Sequence, residues 1–138
     1  MNAPSAETRS VVVEREIGYP PEKIWRALTQ PHLIEEWLMK NDFKPEPNHR
    51  FQLSGAWGSV DCEVVAIEPH RRLAYTWAAF GLDSTVTWTL TPTATGTHLR
   101  MEQAGFRTDP EQQQFYMGAE ASWPGYFDAL EDVLARLE

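Results

Sequence analysis

The groups that could move protons or attack carbon in this chain are Cys62, Asp42, His49, Glu63, Asp83 and Glu102, and each is tested by its neighbours. A thiol attacks as thiolate, which requires a nearby cation or helix N-terminus. Cys62 instead stands beside Glu63 in a strand-like run, where cysteine behaves as a small inert hydrophobe. Ser54, Ser59, Ser84 and Ser122 lack the local elbow that exposes a nucleophilic serine. The four histidines, His32, His49, His70 and His98, are scattered. A metal site needs ligands converging at short spacing, so neither a metal nor any other cofactor is expected. Asp42 and His49 flank a proline loop, and His98 and Glu102 share one side of a strand. General acid–base work would need such a group turned into a cavity with a shifted pKa. A solvated polar face accounts for them, and no catalytic constellation is visible.

The stronger candidate set is apolar. Trp37, Phe51, Tyr75, Trp77, Trp88, Met101, Phe115, Trp123 and Phe127 come from every segment expected to face a common interior. Ligand pockets are mostly apolar, with a few polar groups that orient the ligand. Tyr75 and the tryptophan N–H groups could supply those. The same rings could equally fill a core solidly, and the sequence leaves both readings open.

The elements that must position this set follow from pattern. Residues 9–17 alternate as a strand, with Val11, Val13 and Ile17 on one side and Glu14 and Glu16 on the other. Two short helices follow at 20–28 and 31–38, each opened by proline, whose fixed φ suits a first turn. Residues 41–49, with Pro45 and Pro47, read as a loop. Strands are expected at 50–54, 60–68, 73–80, 85–91 and 97–105, with a turn at Gly55-Ala56-Trp57-Gly58. The clearest is Thr85–Thr91, where threonine and apolar residues alternate without a break, as in a sheet with one wet face. Thr108-Asp109-Pro110-Glu111 reads as a capping box. Trp123, Phe127, Leu130, Leu134 and Leu137 then form a helical stripe. Pro124 and Gly125 predict a kink or break near 120–124.

This order gives an α+β fold: a curved six-stranded antiparallel sheet wrapped around a long C-terminal helix, with two short helices between the first and second strands. The first strand pairs most simply at the edge of the meander. The helix covers the dry face, leaving space between them. Residues 1–8 are expected to be a flexible tail and 9–138 a single domain, in keeping with a length of 138 residues. The net charge of −8 and the lack of a basic stripe argue against nucleic acid and anionic membranes as partners. No apolar run approaches the ~20 residues of a membrane span. With one cysteine, no internal disulfide can form, and a cytoplasmic location is expected.

Taken together, Pro20 to Thr29, Trp37-Leu38-Met39, Asn41-Asp42-Phe43, His49-Arg50-Phe51, Cys62-Glu63-Val64, Arg72 to Trp77, Val86 to Leu90 and Gly105-Phe106 carry a resemblance. The chain resembles the SRPBCC or START-like superfamily of helix-grip fold, in the branch homologous to the activator of heat-shock-protein-90 ATPase. It departs from bacterial relatives at Met117 to Trp123, which is richer in helix formers than their glycine-rich turn. The resemblance implies a START-like domain with a cavity for an apolar small molecule, without implying a particular reaction. The expected function is therefore to bind an apolar or aromatic ligand between sheet and C-terminal helix, as a monomer or homodimer. Two alternatives follow from the resemblance. One is a chaperone-associated interaction module with a part in stress response. The other is a polyketide cyclase-like or hydrolase enzyme.

Overall fold

The computed structural model describes residues 8–56 and 58–137. Strand β1 (Thr8–Ile17) leads into helices α1 (Pro21–Thr29) and α2 (Pro31–Trp37). Then come β2 (Lys40–Asn41), β3 (Arg50–Gly55), β4 (Gly58–Glu68), β5 (Arg72–Ala79), β6 (Leu82–Pro92), β7 (Thr97–Arg107) and α3 (Pro110–Arg136). The strands form one antiparallel sheet in the order β1-β7-β6-β5-β4-β3-β2. The first strand pairs at the edge of the meander, as its position in the chain predicts. The helix-grip architecture expected from the element order is the one observed.

Four expectations need correction. The sheet has seven strands rather than six, because Lys40 and Asn41, at the entry to the supposed loop, pair with Ser54 and Leu53. Asp42 holds that pairing from the side: its Oδ1 accepts the backbone N–H of Gln52 at 2.8 Å. The helix cap is Asp109 rather than Thr108; its Oδ1 accepts the N–H of Gln112 at 3.1 Å. Phe80 lies outside β5, in the turn that follows it.

The fourth concerns the break that is one of two outcomes expected near 120–124: α3 runs as one helix over 27 residues with Pro124 inside. A proline there forfeits one backbone bond. The flanking packing outweighs it, since Trp123 and Phe127 are buried at 1% and 0% exposure. Arg15, on the core-facing side of β1, also ties the helix down. Its Nη1 reaches Asp128 and Glu131 at 2.7 Å each, and its Nη2 donates to the Pro124 carbonyl at 3.2 Å.

The tail expected at 1–8 lies outside the described residues except for Thr8, which pairs with Arg107 in β1. Trp57 of the expected turn also lies outside them; its neighbours Gly55 and Gly58 pair across it. Among the described residues no helix is long and apolar enough to cross a membrane.

Candidate functional site

Period-two alternation turns Tyr75 and Trp77 of β5, Val86 and Trp88 of β6, and Leu99, Met101 and Gln103 of β7 toward α3. The helix presents Trp123, Phe127, Leu130 and Leu134 to them. Where these surfaces meet, the rings pack in contact. Trp88 is fully buried, edge-on to Trp37 at 5.5 Å and to Trp123 at 5.8 Å, and stacked on Phe127 at 5.5 Å. Phe51 packs edge-on to Tyr75 at 5.4 Å, and Met101 pairs across the sheet with Trp88.

Toward the N-terminal half of α3 the packing opens. A cavity of about 310 Å³ lies between the helix and the β5–β6–β7 end of the sheet. That volume falls at the lower end of the range for small-molecule pockets. Trp77, Leu82, Gln103 and Phe106 form its sheet wall. Phe115, Ser122, Trp123 and Tyr126 form its helix wall, with Gly118 and Ala119 between them. The space exists because helix positions 118, 119 and 122 carry small side chains opposite large rings. Met39, just after α2, and Phe80, in the β5–β6 turn, complete the lining.

Of the nine residues expected to bind a ligand, Trp77, Phe115 and Trp123 line this cavity. Trp37, Phe51, Tyr75, Trp88, Met101 and Phe127 are placed in the packed interior beside it. The polar groups expected to orient a ligand are engaged internally. Trp37 Nε1 donates to the Ala27 carbonyl at 2.8 Å, and Trp88 Nε1 to the Tyr75 hydroxyl at 3.1 Å. Burial also pushes the Tyr75 phenol well above its ordinary pKa, so it stays neutral.

The polar feature that the sequence reading missed is Gln103. Its side chain is buried at 2% exposure and lines the cavity. Its Oε1 accepts from Trp123 Nε1 at 2.8 Å, while its Nε2 donates to Ser84 Oγ at 3.0 Å. Ser84 in turn donates to the Trp77 carbonyl at 2.9 Å, directly across the β5–β6 register. This chain of bonds fixes the Trp123 indole and the orientation of the amide, and ties both to the backbone of β5 at Trp77. An amide has more hydrogen-bonding capacity than two partners use. The signal was present in the alternation, since 103 follows 99 and 101 on the inward side.

Charged side chains are absent from the lining among the described residues. Ser122, Gln114 and the Tyr126 hydroxyl add polarity without charge, and partial burial raises the Tyr126 pKa further. The acid–base candidates lie elsewhere. Asp42 and His49 border the β2–β3 connection, where His49 Nε2 sits 3.1 Å from the Asp42 carbonyl and its ring stacks over Phe51. Glu63 meets Arg50 at 3.6 Å on the outer face of the sheet. Glu102 meets Arg100 at 3.4 Å, and His98 meets Glu14 at 2.8 Å, also on the outer face. Asp83 is exposed. Cys62 is buried within β4, and its thiol is pushed up to about 12, chiefly by burial. Among the described residues no group of three or more potential metal ligands converges.

A sheet gripping a terminal helix, with an uncharged aromatic cavity between them, defines a ligand-binding domain of the SRPBCC type. More narrowly, the chain belongs to the family of Activator of Hsp90 ATPase homolog 1-like proteins, which matches residues 18–135. Among solved structures it is similar to protein MLL2253 from Mesorhizobium loti, at 60% identity and TM-score 0.89, covering 94% of this chain and 99% of that one. It is similar to CalU16 from Micromonospora echinospora at 26% identity and TM-score 0.79, covering 92% and 76% of the two chains. DynU16, a protein of the dynemicin biosynthetic locus, shares the fold at 23% identity and TM-score 0.80. The match covers 91% of this chain and 47% of DynU16, so the chain spans about half the length of that relative. None of the curated proteins matches the chain.

Proposed function

We propose that the protein binds an uncharged, apolar or aromatic small molecule in the cavity between α3 and the β5–β7 end of the sheet. The observation that carries this reading is the lining itself: rings on both walls, one buried amide held in a fixed orientation, and no charged side chain among the described residues. A carboxylate or phosphate brought into that lining would lose its hydration without gaining a cation. A flat neutral molecule would exchange water for ring faces and meet the spare capacity of the Gln103 amide.

The experiment uses N-phenyl-1-naphthylamine, a neutral aromatic fluorophore, with energy transfer from tryptophan as the readout. Saturable binding by the wild type and its loss in Gly118→Leu are expected. A side chain at 118 enters open space, since a Cβ there would meet nothing within 4 Å. Leucine also suits a helix better than glycine, so the variant should stay folded. Absence of saturable binding by the wild type, or equal binding by the folded variant, would overturn the reading. Denaturing mass spectrometry of extract from freshly purified protein then identifies any carried ligand.

A further inference from the structure

We infer that Gln103 sets the ligand class of this cavity: its unused amide N–H selects a flat, neutral aromatic molecule that carries a carbonyl oxygen. This role rests on the reading of the cavity as a ligand site. The hydrogen bonds around the amide can run in one direction only. An indole N–H can only donate, and a backbone carbonyl can only accept. Trp123 Nε1 stands at one end of the chain and the Trp77 carbonyl at the other. Ser84 gives its proton to that carbonyl, so its oxygen is left to accept from Gln103. Every donor therefore points the same way, from Trp123 through Gln103 and Ser84 to Trp77. Turning the amide over would set its NH2 against the indole N–H and its oxygen against a hydroxyl with no proton left.

This fixed polarity leaves a remainder. A primary amide offers two N–H donors and two acceptor positions. Trp123 occupies one acceptor position and Ser84 one donor, and those are the bonds the amide makes among the described residues. One N–H and one lone pair stay unused on a side chain that is buried and borders the cavity. The two are not equivalent. A carbonyl oxygen with a single partner is tolerated in protein interiors, whereas an unpaired buried N–H is rare. The demand on a ligand is thus for an acceptor. The other polar groups of the lining set no such demand. The hydroxyls of Ser122 and Tyr126 can turn to meet a donor or an acceptor, and Gln114 is exposed.

The kind of acceptor follows from the rest of the lining. A carboxylate would find no cation among the described residues. A hydroxyl would bring a proton that needs a partner of its own, whereas a carbonyl brings acceptor positions alone. Trp77 and Trp123, with ring centroids 5.6 Å apart, supply the aromatic wall. Because Gln103 is bonded to the Trp123 indole itself, ring and oxygen are read in a fixed relation. The ligand lays its ring beside Trp123 and turns a carbonyl attached to that ring toward Gln103. Aryl ketones, quinones and aryl amides meet this description.

The test uses 9-fluorenone and fluorene, which share one flat three-ring skeleton and differ by a carbonyl in place of a methylene. Each is titrated as a competitor of N-phenyl-1-naphthylamine on wild type, Gln103→Met and Gly118→Leu. The probe has no carbonyl, so its own binding reports the cavity apart from the selection. Wild type should bind fluorenone about tenfold more tightly than fluorene, the worth of one buried hydrogen bond. Burial alone predicts the opposite order, because fluorene is the more apolar. Methionine keeps the length of glutamine without an N–H, so folded Gln103→Met should still bind the probe and lose the preference. Equal affinities in wild type, or tighter binding of fluorene, would overturn the inference while leaving the cavity reading intact, and this comparison needs no variant. A preference kept in Gln103→Met would overturn it too. Wild type without saturable probe binding, or Gly118→Leu binding the probe as well as wild type, would remove the cavity reading and this inference with it.

Discussion

Cys62 and Gln103 both point inward from the sheet, yet one is inert and the other organises its surroundings. Around Cys62 burial dominates, with the carboxylates of Asp61 and Asp42 adding to it, so the thiol is pushed up to about 12. It therefore stays neutral at every pH where alkylation is usually measured. We expect native Cys62 to react with iodoacetamide at pH 8 only as fast as the chain unfolds, and at once in denaturant. Rapid labelling of native protein would contradict this. The linkage sign follows from the same shift. An unfolded thiol ionises near 9, so below that pH both states keep the proton and the stabilisation is intact. As pH rises from about 9 toward 12 the unfolded state loses its proton first, and the fold loses stability. Gln103 acts through bonds instead. Gln103→Leu would strand the Trp123 N–H in a buried site, at about 1–3 kcal/mol, while the Ser84 hydroxyl keeps its bond to the Trp77 carbonyl. An unfolding free energy from urea denaturation lowered by less than about 1 kcal/mol would mean that water replaces the amide.

Among the elements, those with a complete local pattern were readable from the chain alone. The Thr85–Thr91 alternation, the proline-opened helices and the stripe from Trp123 each contain their own reason for forming. What escaped depended on partners distant in sequence. Lys40 and Asn41 become a strand only because Ser54 and Leu53 lie alongside. Helix α3 passes through Pro124 because Arg15, on the strand at the other end of the chain, holds Asp128 and Glu131. The division of nine candidate residues into cavity lining and packed interior was also hidden, because both roles ask for inward rings. Pro124 itself gives a prediction at this scale. Restoring an N–H to pair with the Glu120 carbonyl in Pro124→Ala should raise stability, by up to about 3 kcal/mol. Chemical denaturation reads this directly, and a loss of stability would show that the proline shapes the packing of its neighbours.

Across the whole molecule, one interior is divided into a solid part and a hollow part, and the two should separate experimentally. Trp88 stands at the centre of the solid part, with rings on three sides and no share in the cavity. Trp88→Phe would remove ring contacts and the hydrogen bond to the Tyr75 hydroxyl, costing about 2–3 kcal/mol by the scale of large-to-small core changes and broken buried bonds. Because the cavity wall is set by Trp77, Gln103 and Trp123, affinity for a neutral aromatic probe should stay within about twofold, a fraction of one kcal/mol. Phe115 is the converse case. It is half-buried on the helix wall, so Phe115→Ala removes little core packing, and its stability cost should stay below about 1.5 kcal/mol. It should nevertheless weaken the probe about tenfold by removing one face of the site. Paired denaturation and fluorescence titrations on the two variants place each on a stability axis and an affinity axis. If both lie on one diagonal, with binding lost only in proportion to folding, the hollow is packing slack and not a site. Displacement onto separate axes is the outcome that a sheet closing tightly on one half of its helix and loosely on the other requires.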